Sequence, residues 1–161
     1  MNLTLLAATY ANAFEFQYRR TNVNGGKDSV LPWIDIPQHV IAASLASTVF
    51  SISAPVATAV FIGLPLTCKT VRYFTKENTK MHKIADSGDH IMRLVSKTTT
   101  LVACIHAIPA APDTFLKIFA GLRFSILFAV ALKDIKTTKD YASSQTTFES
   151  AIKKNYKSFT W

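Results

Sequence analysis

The chain reads as an all-α, polytopic membrane protein of about three transmembrane helices, the second and third joined as a hairpin, with amphipathic surface helices beside them. Three observations carry that expectation. Between His39 and Lys69 lie 29 residues without a formal charge, enough for a helix to cross a hydrocarbon core of about 30 Å. A second block, residues 98–132, is strongly apolar and is divided by a corner at Pro109, Pro112 and Asp113. The 18 Lys and Arg cluster outside these blocks: three in 1–38, none in 40–68, seven in 69–97, two in 98–132 and six in 133–161. Basic residues mark the side of a membrane that is not translocated. The connector and tail are therefore expected on one side and the N-terminus on the other.

Residues 1–39 open with Leu3, Leu6, Tyr10, Phe14 and Tyr18 at helical spacing, an amphipathic helix ending at Arg19 and Arg20, followed by a polar loop around Gly25 and Gly26. The first 18 residues lack the basic start of a secretory signal and the arginines of a transit peptide, so an organellar address is expected to be internal or already removed. Trp33, just before the apolar run, suits the headgroup level and is a candidate lipid or partner contact.

Residues 40–68 form the first transmembrane segment. On a 3.6-residue helix Ser44, Ser47, Thr48, Ser51, Ala54 and Thr58 share one small, hydroxylated face, while Ile41, Leu45, Val49, Ile52, Val56 and Val60 share a bulky one. Small residues let helices approach closely in lipid, so the first set is the predicted helix-packing face, aimed at another protein segment. Pro55 is expected to kink the span, and Gly63-Leu64-Pro65 to end it near residue 62. Residues 69–97 read as a basic amphipathic connector, a surface helix with an apolar stripe from Met81 to Val95 and its charges on the solvated side. Residues 98–132 form a transmembrane or re-entrant helical hairpin, and 133–161 a basic C-terminal tail.

Arg123 has nine residues on each side within 114–132. An Arg at a helix centre costs about 2.5–3.5 kcal/mol to insert. The nearby acid, Asp113, is ten residues away. Arg123 is therefore expected to meet a carboxylate or carbonyls of a neighbouring subunit, or the phosphate of an anionic phospholipid.

Catalysis is not indicated. There is no GxSxG, phosphate-cradling loop or HExxH. His82, Asp86 and His90 stand at i, i+4 and i+8, a spacing that can bind zinc, but Gly88 interrupts them and no fourth ligand is evident, so solvated surface pairs are the expectation. His106 is a helix–helix hydrogen-bonding group rather than a haem ligand or a proton path. Cys68 and Cys104 form no CxxC pattern and read as free, buried thiols. No cofactor and no metal are expected. The net charge of +8 comes without any nucleic-acid-binding motif. The expected partners are the membrane, anionic lipid and other membrane subunits, with no nucleic acid.

Tyr10-Ala11-Asn12, then Leu45-Ala46-Ser47 followed by Pro55, then Thr98-Thr99-Thr100 leading to Ile108-Pro109 and Asp113 resemble, in that order, the mitochondrial fission process protein family of inner-membrane proteins. Where that family has a further hydrophobic segment after its Tyr-Ala-Asn, this chain has the polar stretch Arg19 to Asp28. The resemblance implies a mitochondrial inner-membrane location and a non-enzymatic role. With the segment reading, it leads to an accessory or structural subunit of a larger inner-membrane complex, such as a respiratory-chain complex or ATP synthase. The alternatives are a membrane-remodelling, fission-type factor and a small transporter or channel component.

Overall fold

Ile36 begins the first long helix because Pro37 sits in its opening turn, where a missing N–H deletes no internal bond. The computed structural model describes Ala7, Tyr10, Ala11, Phe14 and residues 33–76, 79–109 and 113–143, and among these the chain is helix joined by turns and short irregular links, with no strand. Four long helices follow in order: α1 (Ile36–Thr48), α2 (Ala54–Phe74), α3 (Lys80–Ala107) and α4 (Thr114–Ser143). Ala7, Tyr10, Ala11 and Phe14 are helical, with Tyr10 and Phe14 exposed. The rest of the N-terminal amphipathic helix and the tail beyond Ser143 lie outside the described residues. The described part of the tail, 133–143, continues α4.

The first apolar run is not one helix. α1 closes at Thr48, where Val49 N–H donates to the Leu45 carbonyl and Ile52 N–H reaches back to Ala46 at 3.1 Å. That second bond requires the chain to double back, and Ser51 does so in the left-handed region at φ 55°. Pro55 then falls in the first turn of α2. It starts a helix where a kink inside one was expected. Nor does Pro65 end the run. The ring of a mid-helix proline clashes with the carbonyl four residues back and offers it no N–H. α2 accommodates this with a widened turn over Ala59–Gly63, in which Leu64 N–H donates to the Ala59 carbonyl five residues earlier. Thr67 Oγ1 donates to the Gly63 carbonyl at 2.8 Å within this irregular stretch. α2 is thereby continuous for 21 residues, long and apolar enough by length and composition to cross a membrane.

The six residues of the predicted packing face are divided by this break. Ser44, Thr48, Ser51, Ala54 and Thr58 are exposed and Ser47 is half-buried. Thr48 Oγ1 donates to the Ser44 carbonyl of its own helix. The buried side of α1 is instead Gln38, His39, Ala42, Ala43, Leu45 and Ala46.

α1 and α2 form a hairpin, α2 and α3 a second one, and α3 packs against both α1 and α4. Leu45, Ala103, Cys104 and Leu127 make one apolar cluster, flanked by Phe50 and Phe124, and Ala42, Ala43, Ala46, Ala57 and Phe61 make another. Small alanines dominate the second cluster because α1 and α2 must meet within a short hairpin. Gly88 performs the same role between α2 and α3: a Cβ there would lie 2.9 Å from Cys68 Sγ.

α3 differs most from expectation. Its boundary does not fall at residue 97; one helix runs through the supposed connector into the supposed hairpin. Its polar face is the buried one, with Asp86, Asp89, His90, Arg93, Ser96, Lys97 and Thr100 inside, whereas Met81, Ile84, Ile91, Val95, Val102 and Ile105 point outward. Lys80 and Lys83 are exposed as expected, but the expected solvation is overturned for Asp86, Asp89, Arg93 and Lys97, which are buried, the two aspartates against Lys69 and Arg72 of α2.

Two outcomes follow for stability in detergent micelles, read by thermal unfolding. Ser51→Gly removes a left-handed penalty of about 1–2 kcal/mol while adding some unfolded-state freedom, so it should raise stability by up to about 1 kcal/mol, and β-branched Ser51→Val should lower it. Gly88→Val should destabilise by about 1–3 kcal/mol through overpacking, and Cys68→Ala in the same chain should restore part of the loss.

Candidate functional site

The inward face of α3 carries Asp86, Asp89, Arg93, Ser96 and Thr100 at successive three- and four-residue steps, which align on one side of a helix. Facing them, the last turns of α2 present Lys69 and Arg72, and the start of α1 presents Asp35 and His39. Three helices thus converge on a dry, charged centre: Asp35, Lys69, Asp89, His39 and Arg93 are all buried.

Lys69 is its hub. The ammonium lies 2.8 Å from Asp35 Oδ1 and 2.8 Å from Asp89 Oδ1, and it donates to Asp89 Oδ2 at 3.0 Å. Arg72, half-buried at the edge, donates through Nη1 to Asp89 Oδ2 at 2.9 Å and lies 3.0 Å through Nε from Asp86 Oδ1. Asp35 occupies the N-cap position of α1, where an aspartate ordinarily accepts from a backbone N–H. It makes no side-chain cap bond, and its carboxylate points to Lys69. The charged contact has taken precedence over the local one.

His39 bridges α1 to α3. Its Nδ1 and Ser96 Oγ are 2.7 Å apart, while Nε2 is 3.8 Å from Asp35 Oδ2, beyond hydrogen-bond reach. Asp35, His39 and Asp89 bring one ligand atom each within 4.8 Å of one another, a set that could enclose a metal ion. The position between the two carboxylates is occupied by the Lys69 ammonium, so the cation of this site is supplied by the chain itself.

Energetics decide what such a network does. At an effective dielectric of about 20, two unit charges 2.8 Å apart attract by roughly 6 kcal/mol. Desolvation takes back several kcal/mol per ion, so the net contribution to stability is small. Its selectivity is large, because displacing one helix by a turn leaves buried charges without their counter-ions. The network fixes which levels of α1, α2 and α3 lie side by side.

Of the histidines weighed for zinc, His82 faces the Thr75 carbonyl at 3.2 Å through Nδ1, Asp86 pairs with Arg72, and His90 is buried among the interior groups. They are not gathered around a common point. His106 is exposed at the end of α3, its ring edge-on to Phe50 at 6.1 Å. Cys104 is buried and Cys68 half-buried, and neither is in a disulfide. Trp33 is half-buried two residues before Asp35. Arg123 belongs to α4, and its side chain lies outside the described residues.

The sequence reading missed Asp35, His39, Lys69 and Asp89. The signal was available in the regular spacing of the α3 charges opposite an equally regular apolar stripe. It is visible only if the apolar stripe is taken as the outside.

Comparisons with protein-family models, with curated proteins and with solved structures return no match.

Removing one partner from a buried pair is far more damaging than removing the pair. Lys69→Met should lower unfolding stability by about 3–5 kcal/mol, and Lys69→Met with Asp35→Asn should recover part of it. Thermal melts of the two variants and the parent, in one detergent, make the comparison.

Proposed function

We propose that the chain is a non-catalytic integral membrane protein serving as an accessory or structural subunit of a larger membrane assembly. The observation that carries this reading is the inverted polarity of α3. From Met81 to Ile105 its outward side bears Met81, Ile84, Ile91, Val95, Val102 and Ile105, with Lys83 near the start and Thr98 as the exposed polar groups among them. Those 24 residue steps correspond to about 36 Å of helix, more than a hydrocarbon core of roughly 30 Å. A water-facing helix would turn this stripe inward and its charges outward. The opposite arrangement suits a lipid or apolar protein surround.

Hydroxyl groups support the same reading. Thr70, Thr98 and Thr99 each return their hydroxyl to the carbonyl four residues earlier, at 2.8–2.9 Å. In an apolar medium a hydroxyl has no water to use, and this bond satisfies it within the helix. The buried ion pairs act as an internal clamp, leaving the exterior free for neighbouring subunits and acyl chains.

The transporter reading is weaker. A conducting route needs polar groups continuous across the bundle, yet the row ending at Thr100 meets the apolar cluster of Leu45, Ala103, Cys104 and Leu127. The mitochondrial inner membrane, and a respiratory or ATP synthase complex within it, is the proposed home by the resemblance to the fission process family.

The test begins with alkaline carbonate extraction, in which the protein should remain with the membrane. Gentle detergent extraction and native gel separation should then show it in an assembly with other subunits. Migration as an isolated small species would overturn the subunit reading, and release by carbonate would overturn the integral one. Ile91→Lys with Val95→Lys, at about 2.5–3.5 kcal/mol for each Lys near a span centre, should abolish carbonate-resistant integration.

A further inference from the structure

Where α2 hands over to α3, two aromatic rings stand almost bare. Tyr73 is 75% exposed and Phe74 79% exposed, and they meet edge-to-face with centroids 5.2 Å apart. Lys76, Lys80 and Lys83, all exposed, follow them in the chain at the end of α2 and the start of α3.

The backbone beneath is pinned. His82 Nδ1 lies 3.2 Å from the Thr75 carbonyl, Thr79 N–H donates to the Lys76 carbonyl at 3.0 Å, and Thr79 Oγ1 caps α3 by accepting from His82 N–H at 3.2 Å. The rings and the lysine stems therefore project from a fixed corner.

Its height in the bundle is fixed too. The pairs Lys69–Asp89, Arg72–Asp86 and Thr75–His82 align antiparallel helices so that Phe74 lies opposite residues 83–84. That level is five residues, or about 7–8 Å, from Asp89. It is also the level at which the outward apolar stripe of α3 begins, at Met81 and Ile84.

The opposite end has a different character. Residues 49–63, which include the α1–α2 turn, hold no formal charge, and the α3–α4 turn ends in the exposed Asp113, followed by the exposed Phe115 and Lys117. Three exposed lysines beside an adjoining pair of bare rings distinguish the α2–α3 corner.

We propose that Tyr73, Phe74, Lys76, Lys80 and Lys83 form a collar that seats this end of the bundle in the headgroup layer of an anionic phospholipid leaflet. The rings occupy the boundary between acyl chains and headgroups, where amphipathic aromatics concentrate. Lys76 and Lys80 lie just beyond, at phosphate level, Lys83 stands level with Phe74 and can reach the same layer on its long stem, and the ammonium groups attract anionic lipid. An acidic protein would satisfy the lysines alone. Bare rings and exposed lysines meeting at the end of the apolar stripe match the boundary between acyl chains and headgroups of a leaflet. This assignment rests on the membrane reading above and adds the lipid class and the residues that meet it.

The test uses the full chain reconstituted into vesicles of phosphatidylcholine alone or with phosphatidylglycerol, then purified in neutral detergent. Retained lipid per chain is counted by mass spectrometry, and integration is checked separately by carbonate. The parent should retain phosphatidylglycerol in preference to phosphatidylcholine. Combined Lys76→Gln, Lys80→Gln and Lys83→Gln should cut the retained phosphatidylglycerol about tenfold or more, with integration unchanged. The corresponding triple Lys→Arg chain should retain it. Unchanged phosphatidylglycerol in the Gln variant overturns the collar while leaving the membrane reading intact, and so does loss of a co-migrating acidic protein in place of lipid. Failure of the parent to integrate into either vesicle overturns both.

Discussion

One ammonium group held between two carboxylates sets the arrangement of three helices. Asp35 belongs to the entry of α1, Lys69 to the lower half of α2 and Asp89 to the middle of α3, and both carboxylates lie 2.8 Å from Lys69 Nζ. Hydrophobic contacts between these helices are permissive, because alanines slide past alanines with little change in buried area. A buried charge is not permissive, since a shift of one turn exposes it to apolar surroundings without a counter-ion. The register of the bundle follows from that asymmetry, and Arg72 with Asp86 and His39 with Ser96 extend it to either side.

Once the charges are inward, the irregularities of the backbone have an explanation. α1 must stop early enough for the chain to return and bring Lys69 to the level of Asp35, which places the reversal at Ser51. The return strand of the hairpin then meets Pro65 in mid-course, and the widened turn over Ala59–Gly63 carries the helix past it. Hydroxyl side chains satisfy carbonyls locally along the way. Among the described residues, the positive-φ serine and the widened turn both fall in α2 and its approach.

The all-helical character was legible from the apolar blocks, and the corner after Ile108 was legible from Pro109, Pro112 and Asp113. Segment limits were not. Summed hydropathy averages around a helix, so α3, with Arg93 and Lys97 on one side and Ile91 and Val95 on the other, scores as a polar connector although its two faces never share an environment. The same averaging distorted the charge count. Of the seven basic residues assigned to the connector, Lys69, Arg93 and Lys97 are interior, and they report on helix pairing instead of sidedness. Proline was misleading for a different reason. Its effect depends on position within a turn: Pro55 was harmless where a helix begins, and Pro65 was tolerated where a helix can widen. Neither circumstance is written in the residue itself.

The widened turn also constrains how this sequence can change by descent. Ala57, Phe61, Pro65 and Lys69 are all buried, at a strict spacing of four. A regular helix advances 100° per residue and would bring the last of these round by 120° from the first. The slack turn absorbs that drift and keeps the lysine on the interior side. Regular winding over the same number of residues would swing Lys69 by about 100° toward the exterior. Two aspartates would then face each other with no ammonium between them. Loss of one residue between positions 59 and 63 brings these side chains back into line, since eleven regular steps end within about 20° of whole turns, so lineages without the widened turn are expected to have an α2 one residue shorter and to keep Lys69 with both aspartates.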